Sequence, residues 1–257
     1  MDLPLIRKLS NFVALSGAEI SILEDLQADK RVVRRHREII SRGRKYDTLF
    51  VLMEGFAVRS RVVNRGGRQI LNVALPGDFI GFPGCFFESA LYSVTAITDT
   101  VVSAISYARL IALFETHPRL ATKVFWSFSS EAAMYAEHLI DLGRRSALER
   151  VAHFLLELHA RLQLIGLAHD NSYPMPLTQE LIGDTLGLSV PHVNRTFRRL
   201  REDDLLVIED QQVVIKDLEA LSSLAGFERR SFERFGLPDL FDGADRYHEQ
   251  LRLAEAR

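Results

Sequence analysis

A cluster of arginines in the C-terminal third of the chain has side chains suited to contacting DNA. Arg195 carries a guanidinium that can donate two hydrogen bonds to one guanine, and Asn194 can contact adenine or a phosphate. Three more arginines, Arg198, Arg199 and Arg201, suit the phosphate backbone. A charged helix face can also be merely solvated, so the residues around the cluster must distinguish the two cases.

The residues around these arginines predict a helix-turn-helix over Leu177–Leu200. Thr178 and Ser189 are of the types that begin helices as N-caps, and Gly187 suits the sharp turn between them. Pro191 falls in the first turn of the second helix, where its missing N–H is harmless. Apolar residues at helical spacing provide the core: Leu181, Ile182, Leu186, Leu188, Val193, Phe197 and Leu200. We therefore expect these residues to contact double-stranded DNA: Thr178, Ser189, Val190, Pro191, His192, Asn194, Arg195, Arg198 and Arg199.

The elements that precede this unit are of two kinds. The first thirty or so residues are predicted to be helical, with a capping box formed by Ser16 and Glu19. Short strand-like runs then follow to Ser106, and they include Leu49–Met53, Ala57–Val58, Ile70–Val73 and Val101–Ile105. Many short strands separated by glycine-bearing turns predict a sandwich or barrel. A loop is expected at His169–Pro176, and a hairpin at Leu205–Ile215.

A long helix is predicted after Pro118, with apolar residues that alternate in steps of three and four. The seam consists of Phe125, Phe128, Ala132, Tyr135, Leu139 and Leu142. It covers about three heptads, which favours two copies of the helix paired in a dimer. The alternative is one helix that lies on its own barrel. Gly143 is expected to mark a hinge, and His138 to lie on the helix surface.

The composition is that of an ordinary globular protein. The 257 residues carry a net charge of −2, so positive charge for nucleic acid must be local. The single cysteine, Cys85, excludes a disulfide framework and a multi-cysteine metal site. No apolar run approaches the roughly 18 residues of a membrane span. The eight histidines form no metal-ligand pattern. We expect a cytoplasmic protein that holds no metal and no cofactor.

The run Leu177–Leu206 resembles the winged helix of the Crp/Fnr family of bacterial transcription regulators. Leu75–Gly81 is similar to a turn in that family's cyclic-nucleotide-binding-type β-roll, and Gly143–Ala152 to the junction after its dimer helix. The resemblance covers about residues 10–225. It implies an α+β fold and a homodimer in which each subunit places Val190–Arg201 in one major groove of a palindrome. Relatives often carry Glu where Pro191 stands, which implies an atypical half-site.

The resemblance also implies a domain organisation. We expect a β-roll sensor domain with an N-terminal helix at residues 1–118 and a dimerisation helix at 119–143. A winged helix-turn-helix follows at 144–226, and a charged tail at 227–257. RNA polymerase is an expected partner.

The sensor pocket lacks the charges that the family's cyclic-nucleotide readers use. Those proteins hold the ribose with Gly-Glu and the phosphate with Arg-Ser, whereas Phe82 follows Gly81 here. No Lys, Arg or His occurs between Arg68 and Arg109, so a buried phosphate would lack a cationic partner. We therefore expect no response to cyclic AMP. The candidate pocket residues are Phe79, Gly81, Phe82, Cys85, Phe86, Tyr92, Ser93 and Tyr135.

Several alternatives stay open at this point. The aromatic residues of the pocket region, which also include Phe87, either fill their own cavity or form an apolar effector site. Cys85 is either a small buried hydrophobe or a thiol sensor. The basic stretch at residues 30–45 is either a solvated strand face or a contact for DNA or RNA polymerase. The competing function is a ligand-gated protein-interaction module with weak or no specific DNA binding. No motif argues for an enzyme.

Overall fold

The computed structural model describes residues 3–11, 14–63, 67–82 and 84–228, without the side chain of Cys85. The predicted tail falls almost entirely outside these ranges. The architecture is α+β, as expected: a β-roll, a long helix and a C-terminal winged helix. Where the domains divide stays a prediction. None of the helices in the described ranges has an apolar stretch of the length that a bilayer crossing requires.

Two helices precede the roll, α1 (Pro4–Ser10) and α2 (Gly17–Leu26). The predicted capping box begins α2. The Ser16 hydroxyl accepts from the Glu19 backbone N–H at 3.3 Å, and the Glu19 carboxylate accepts from the Ser16 backbone N–H at 2.8 Å. Two otherwise unpaired donors of the helix start are thereby satisfied.

The β-roll consists of two four-stranded sheets in which every pair of neighbours is antiparallel. Its strands are β1 (Lys30–Val33), β2 (Glu38–Ile40), β3 (Thr48–Glu54), β4 (Ala57–Val62), β5 (Arg68–Ala74), β6 (Phe79–Ile80), β7 (Ser93–Ala96) and β8 (Thr100–Ser106). The sheet orders are β1-β8-β3-β6 and β2-β7-β4-β5. A short 3-10 helix, Gly84–Phe86, follows β6. The predicted strand runs all lie within these strands.

Three helices connect the roll to the winged helix: α3 (Tyr107–Thr116), α4 (Pro118–Arg144) and α5 (Ala147–Leu164). The hinge expected at Gly143 was misplaced, because α4 continues through that residue. The chain instead becomes extended at Arg145, and Ser146 caps α5 with a second capping box. A residue that can form an N-cap therefore marks the break better than the glycine does.

The C-terminal unit contains β9 (Ser172–Pro174), α6 (Gln179–Leu186), α7 (Val190–Glu202), β10 (Leu206–Glu209), β11 (Gln212–Ile215) and α8 (Leu218–Ala225). The predicted hairpin is β10 and β11. The predicted loop at residues 169–176 is wrong in part, since β9 lies within it and pairs with β11. Tyr173 explains this strand: its ring is fully buried, and its hydroxyl donates to the Leu155 carbonyl at 2.8 Å.

Helix α5 lies in one continuous core with both the roll and the winged helix. Its buried residues, among them Leu155 and Leu158, belong to the same apolar cluster as Val73 of β5 and Phe197 of α7. Burial of this kind stabilises by about 25 cal/mol per Å² of apolar surface removed from water. The roll and the winged helix of one chain are therefore packed together through α5.

Candidate DNA-binding helix and the sensor that holds it

The helix-turn-helix is built largely as its residue types predict. The Thr178 hydroxyl accepts from the Leu181 backbone N–H at 3.2 Å and so begins α6. Gly187 ends that helix with a left-handed backbone, at φ 65°. Ser189 occupies the N-cap of α7, but its hydroxyl makes no capping hydrogen bond, and Pro191 lies in the first turn.

A second glycine, Gly183, is needed for the same unit and was not predicted from the sequence. It lies inside α6, and a Cβ there would collide with the backbone oxygen of Leu188. The Leu188 backbone N–H also donates to the Gly183 carbonyl at 2.9 Å. A glycine inside a helical pattern was the available signal, since glycine lowers helix stability and usually has a packing reason.

One face of α7 is buried and the other is exposed. Val193, Phe197 and Leu200 are buried, as predicted, together with Ile182 and Leu186 of α6, whereas Leu181 and Leu188 are only half-buried. The predicted DNA-contacting residues are exposed except for His192, which is half-buried: Thr178, Ser189, Val190, Pro191, Asn194, Arg195, Arg198 and Arg199. Of these residues, the exposed ones of α7 lie on the side of that helix away from Val193, Phe197 and Leu200.

The arginines of this surface differ in their partners. Arg199 forms an ion pair with Asp203 at 2.8 Å, and Arg198 one with Glu202 at 3.6 Å. Such exposed pairs are worth only about 0 to 1 kcal/mol, so a phosphate can replace either carboxylate. Arg195 has no acidic partner among the residues that the structure describes.

The long helix α4 presents different faces to different surroundings. Phe125 and Leu139 are 66% and 71% exposed, and Ala132 lies exposed between them. The two other seam residues of the same stretch do not join this face: Phe128 stacks on Phe82 at 3.5 Å, and Tyr135 is half-buried. They lie against their own roll because a step of three residues turns the side chain by about 60°. The predicted seam therefore combined residues of two different faces of α4, one exposed and one packed against the roll.

The last seam residue, Leu142, has a third environment. It is 39% exposed, and its side chain lies beside Gly187 at the end of α6. Helix α4 thus contacts the turn between α6 and α7 of its own chain.

A buried arginine inside the roll was missed. Arg59 of β4 is 3% exposed, forms an ion pair with Glu131 of α4 and donates to the Tyr135 hydroxyl. It also lies 4.7 Å from the centre of the Tyr92 ring. Burial lowers the pKa of Arg59, but the Glu131 carboxylate and the two tyrosines raise it above its usual value. The roll therefore holds a cation, which Glu131 already neutralises. Arg59 lies outside the segment between Arg68 and Arg109, in which the sequence contains no cation.

The described residues leave little free space beside Gly81 and Tyr92, which form part of the predicted effector pocket. The cavity beside Gly81 and Tyr92 has about 10 Å³, which is at the lower limit for one water molecule. The Tyr92 hydroxyl donates to the Phe82 carbonyl at 2.5 Å, and the Ser93 hydroxyl accepts from the Arg42 backbone N–H. Phe79 is buried, and its ring lies 4.9 Å from that of Phe128.

Of the predicted pocket residues, Phe86 lies outside the roll interior, and the side chain of Cys85 is not described. Phe86 and its neighbour Phe87 are 58% and 51% exposed and do not line the interior, which corrects the prediction for Phe86. Their position on and beside the short 3-10 helix directs them outward. The side chain of Cys85 lies outside the described part of the chain, so its role stays a prediction.

The prediction of a surface position for His138 was wrong. Its Nε2 lies 2.6 Å from the Glu157 carboxylate, and its Nδ1 lies 3.2 Å from the Leu71 carbonyl oxygen. Burial lowers the pKa of His138, but Glu157 raises it by more. Burial raises the pKa of Glu157, but His138 and Arg161 lower it to about 2.

Arg161 of α5 connects this pair to the roll. It lies 3.0 Å from Glu157 and 2.8 Å from Asp78, and Asp78 also pairs with Lys8 at 2.7 Å. Burial raises the pKa of Asp78, but Lys8 and Arg161 lower it to about 2. In the ranges described, no group of His, Cys, Asp and Glu is arranged to hold a metal ion.

A second polar contact joins the roll to the helix-turn-helix. Arg68 of β5 forms ion pairs with Asp184 at 2.6 Å and Glu180 at 3.3 Å, both on α6. The neighbouring Gln69 side chain donates to the Thr185 carbonyl at 3.0 Å. The roll therefore contacts the winged helix directly as well as through α5.

Comparison with known families and structures gives a consistent result. The model of the cyclic nucleotide-binding domain matches residues 30–117, and that of the Crp-like helix-turn-helix domain matches residues 149–224. The transcriptional activator protein Anr of Pseudomonas protegens is 30% identical over 79% of this chain and 86% of its own length. The nitrogen fixation regulation protein FixK of Bradyrhizobium diazoefficiens is 30% identical over 82% of this chain and 88% of its own length. The structure of FixK2 from Bradyrhizobium japonicum is 28% identical, with a TM-score of 0.69, and covers 76% of this chain and 96% of that one.

Proposed function

This chain belongs to the Crp/Fnr family of DNA-binding transcription regulators, and we propose that it binds palindromic promoter sites as a homodimer, gated by a signal other than cyclic AMP. The observation that carries the proposal is the exposed basic face of α7. Arg195 contacts a base in the major groove, while Arg198 and Arg199 neutralise phosphates. Bound this way, the protein acts in the cytoplasm, where promoter DNA and RNA polymerase are available.

The exposed face of α4 supports the homodimer. Phe125, Ala132 and Leu139 recur every seven residues and expose apolar surface to water. Pairing this face with a second copy of α4 would bury it, as in a coiled coil. A two-fold dimer presents two α7 helices and matches a palindrome whose half-sites lie about one helical turn apart.

Two features of the roll, a paired arginine and a small cavity, support a signal other than cyclic AMP. A nucleotide phosphate needs a cation, and the buried Arg59 is already paired with Glu131. The cavity beside Gly81 is also too small for a nucleotide. Calorimetric titration should therefore detect no binding of cyclic AMP, and micromolar affinity would overturn this part of the proposal.

Selection from a random DNA library tests the proposal as a whole. The full-length protein should enrich a palindrome, and Arg195→Ala should weaken binding to it by roughly 5- to 100-fold and relax one base preference. Arg199→Ala should weaken binding to all sequences alike and reduce the salt slope by about 1. Arg109→Ala, which removes an arginine paired with Asp25 and far from α7 in sequence, should change neither.

The opposite outcome favours the competing function. If no sequence is enriched and Arg195→Ala leaves DNA affinity unchanged, the chain acts as a ligand-gated module for a protein partner, and the winged helix has lost its DNA-binding role.

A further inference from the structure

A cavity of about 170 Å³ lies outside the roll interior, between α1, α4, α5 and the turn before β6. Its apolar walls come from Phe79, Trp126, Phe128, Met134 and Leu164. This volume is slightly larger than that of a roughly 150 Å³ apolar cavity that binds benzene. It is also far larger than the space beside Gly81. The cavity therefore has room for one small ring.

The polar groups of the cavity define the charge of a suitable ligand. Ser127 and Ser130 supply neutral hydroxyl groups. The Asn72 amide also lines the cavity, but it already bonds Glu131 and Arg161 at 3.2 Å. The cations Lys8 and Arg161 are both held by Asp78, at 2.7 and 2.8 Å. Glu131 and Glu137 also line the cavity, and each is paired with an arginine elsewhere. A charged ligand would have to break one of these pairs and leave a partly buried charge uncompensated.

We propose that this cavity binds a small neutral aromatic molecule with one hydrogen-bonding group, and that its occupancy regulates DNA binding. The regulatory half rests on the proposed function. Asn72, Asp78 and Phe79 belong to the roll, whereas Arg161 and Leu164 belong to α5, whose core continues into the winged helix. A ligand seated between them contacts both sides of the junction and favours one arrangement of the two units. Arg161 of α5 joins the two sides of the cavity through its bond to Asp78 of the roll, and Glu157 of the same helix bonds the other part of its guanidinium.

Binding is tested without DNA, by calorimetric titration of the full-length protein with phenol, benzoate and benzylammonium. Phenol should bind with a Kd on the order of 1 mM or tighter, given its seven heavy atoms. Benzoate and benzylammonium should bind at least about tenfold more weakly, because each carries a charge into the site. A preference for either ion over phenol, or no binding of phenol, overturns the assignment.

Two variants locate the site. Ser130→Phe fills the cavity and should abolish phenol binding, with a thermal melt to confirm that the variant is folded. Leu164→Ala enlarges the cavity and should shift the preference from phenol toward the larger indole, and this result does not depend on the first variant. Phe86→Leu, on the exposed part of the other aromatic cluster, should bind phenol like the wild type. Loss of binding in Phe86→Leu alone would place the ligand elsewhere and refute the proposal.

The regulatory half is measured separately, by the affinity for the DNA selected above with and without saturating phenol. Phenol should change the Kd for DNA by at least about fivefold, the lower end of typical coupling between sites, and Ser130→Phe should remove the effect. Phenol binding with unchanged DNA affinity overturns the regulation. If the DNA selection fails, the proposed function fails, but the titrations without DNA still test the ligand site. The two failures are therefore distinguishable.

Discussion

Gly183 and Gly187 both belong to the helix-turn-helix but meet different physical requirements. Gly187 has a left-handed backbone, which glycine adopts without a steric cost. Gly183 has an ordinary helical backbone but leaves no room for a Cβ beside Leu188. The first requirement is visible in the sequence as a glycine at the end of a helix. The second depends on how closely the chain after α6 approaches that helix.

Replacing Gly183 with alanine should destabilise the winged helix. The added Cβ forces α6 and the turn apart, and overpacking of this kind costs about 1 to 3 kcal/mol. Gly17→Ala is the matched control, since nothing lies within 4 Å of a Cβ there. Its helix should gain up to about 1 kcal/mol. Urea unfolding of both variants measures the difference, and equal losses would contradict the packing argument.

The charges around Asp78 should make stability depend on pH in the acid range. Burial raises the pKa of Asp78, but Lys8 and Arg161 lower it to about 2, below the 3.8 of a free aspartate. Its contribution is therefore complete above about pH 5 and is lost as the pH falls toward 2. The unfolding free energies of wild type and Asp78→Asn should converge by roughly 2 kcal/mol over that window. A constant difference at all pH values would show that Asp78 does not titrate as described.

The pair of His138 and Glu157 should act at higher pH with the opposite sign. The folded pKa of His138 is raised, so its contribution is present below the unfolded value of about 6.5 and is lost as the pH rises through the folded pKa. Urea unfolding from pH 6 upward should show the advantage of wild type over His138→Gln shrinking. An advantage that grows over this range would contradict the ion pair.

At the scale of elements, α4 is shared between its own chain and a proposed partner. Phe128 and Tyr135 lie against the roll, while Phe125 and Leu139 stay exposed. A single helix can serve both surfaces because positions three residues apart differ in direction by about 60°. Substitutions can therefore separate dimerisation from folding, provided that they fall on the exposed face alone.

Leu139→Glu should weaken dimerisation at least about tenfold while the monomer stays folded. Leu139 is 71% exposed, so the charge is tolerated in one chain but would be buried in the pair. Val32→Glu is the control, because Val32 is 68% exposed on β1, far from this helix in sequence. Sedimentation velocity over a range of concentrations measures both variants. A dimer that survives Leu139→Glu would place the interface on another surface.

At the scale of the whole molecule, the sensor and the DNA-binding unit are joined by apolar packing and by polar ties. Helix α5 shares its core with both, and Arg161 pairs with Asp78 of the roll. Arg68 and Gln69 add a direct contact to α6. These contacts hold one arrangement of the two units, and a ligand that binds one arrangement more tightly than another would shift the balance between them.

Arg68→Ala should loosen α6 without affecting the roll. Exposed pairs are worth about 0 to 1 kcal/mol, so amide hydrogen exchange over residues 179–186 should accelerate up to about fivefold. Arg31→Ala breaks a pair that lies within one part of the molecule and should leave exchange in α6 unchanged. Acceleration spread evenly over the chain would mean that Arg68 stabilises the fold as a whole rather than this contact.

The helix-turn-helix and the series of short strands could be predicted from the order of residues alone, because their signals are local. Caps, a turn glycine and apolar spacing act within a few residues of one another. The sequence also determined the class of regulator, since those local patterns match one family. Local signals can still be misassigned. The break after α4 was predicted at Gly143, whereas the N-cap residue Ser146 marks it.

Which partner each buried charged side chain has depends on the tertiary fold and could not be predicted from the sequence. Arg59 and Glu131 are 72 residues apart, and Arg161 and Asp78 are 83 apart. No spacing rule links residues at such separations, so the sequence left the roll without a cation and His138 on the surface. The same reason hid the cavity behind α4, whose walls come from four separate segments of the chain. The basic face of α7 was predictable because one helix carries it. The ion pairs of the roll were not predictable, since they join residues that only folding brings together.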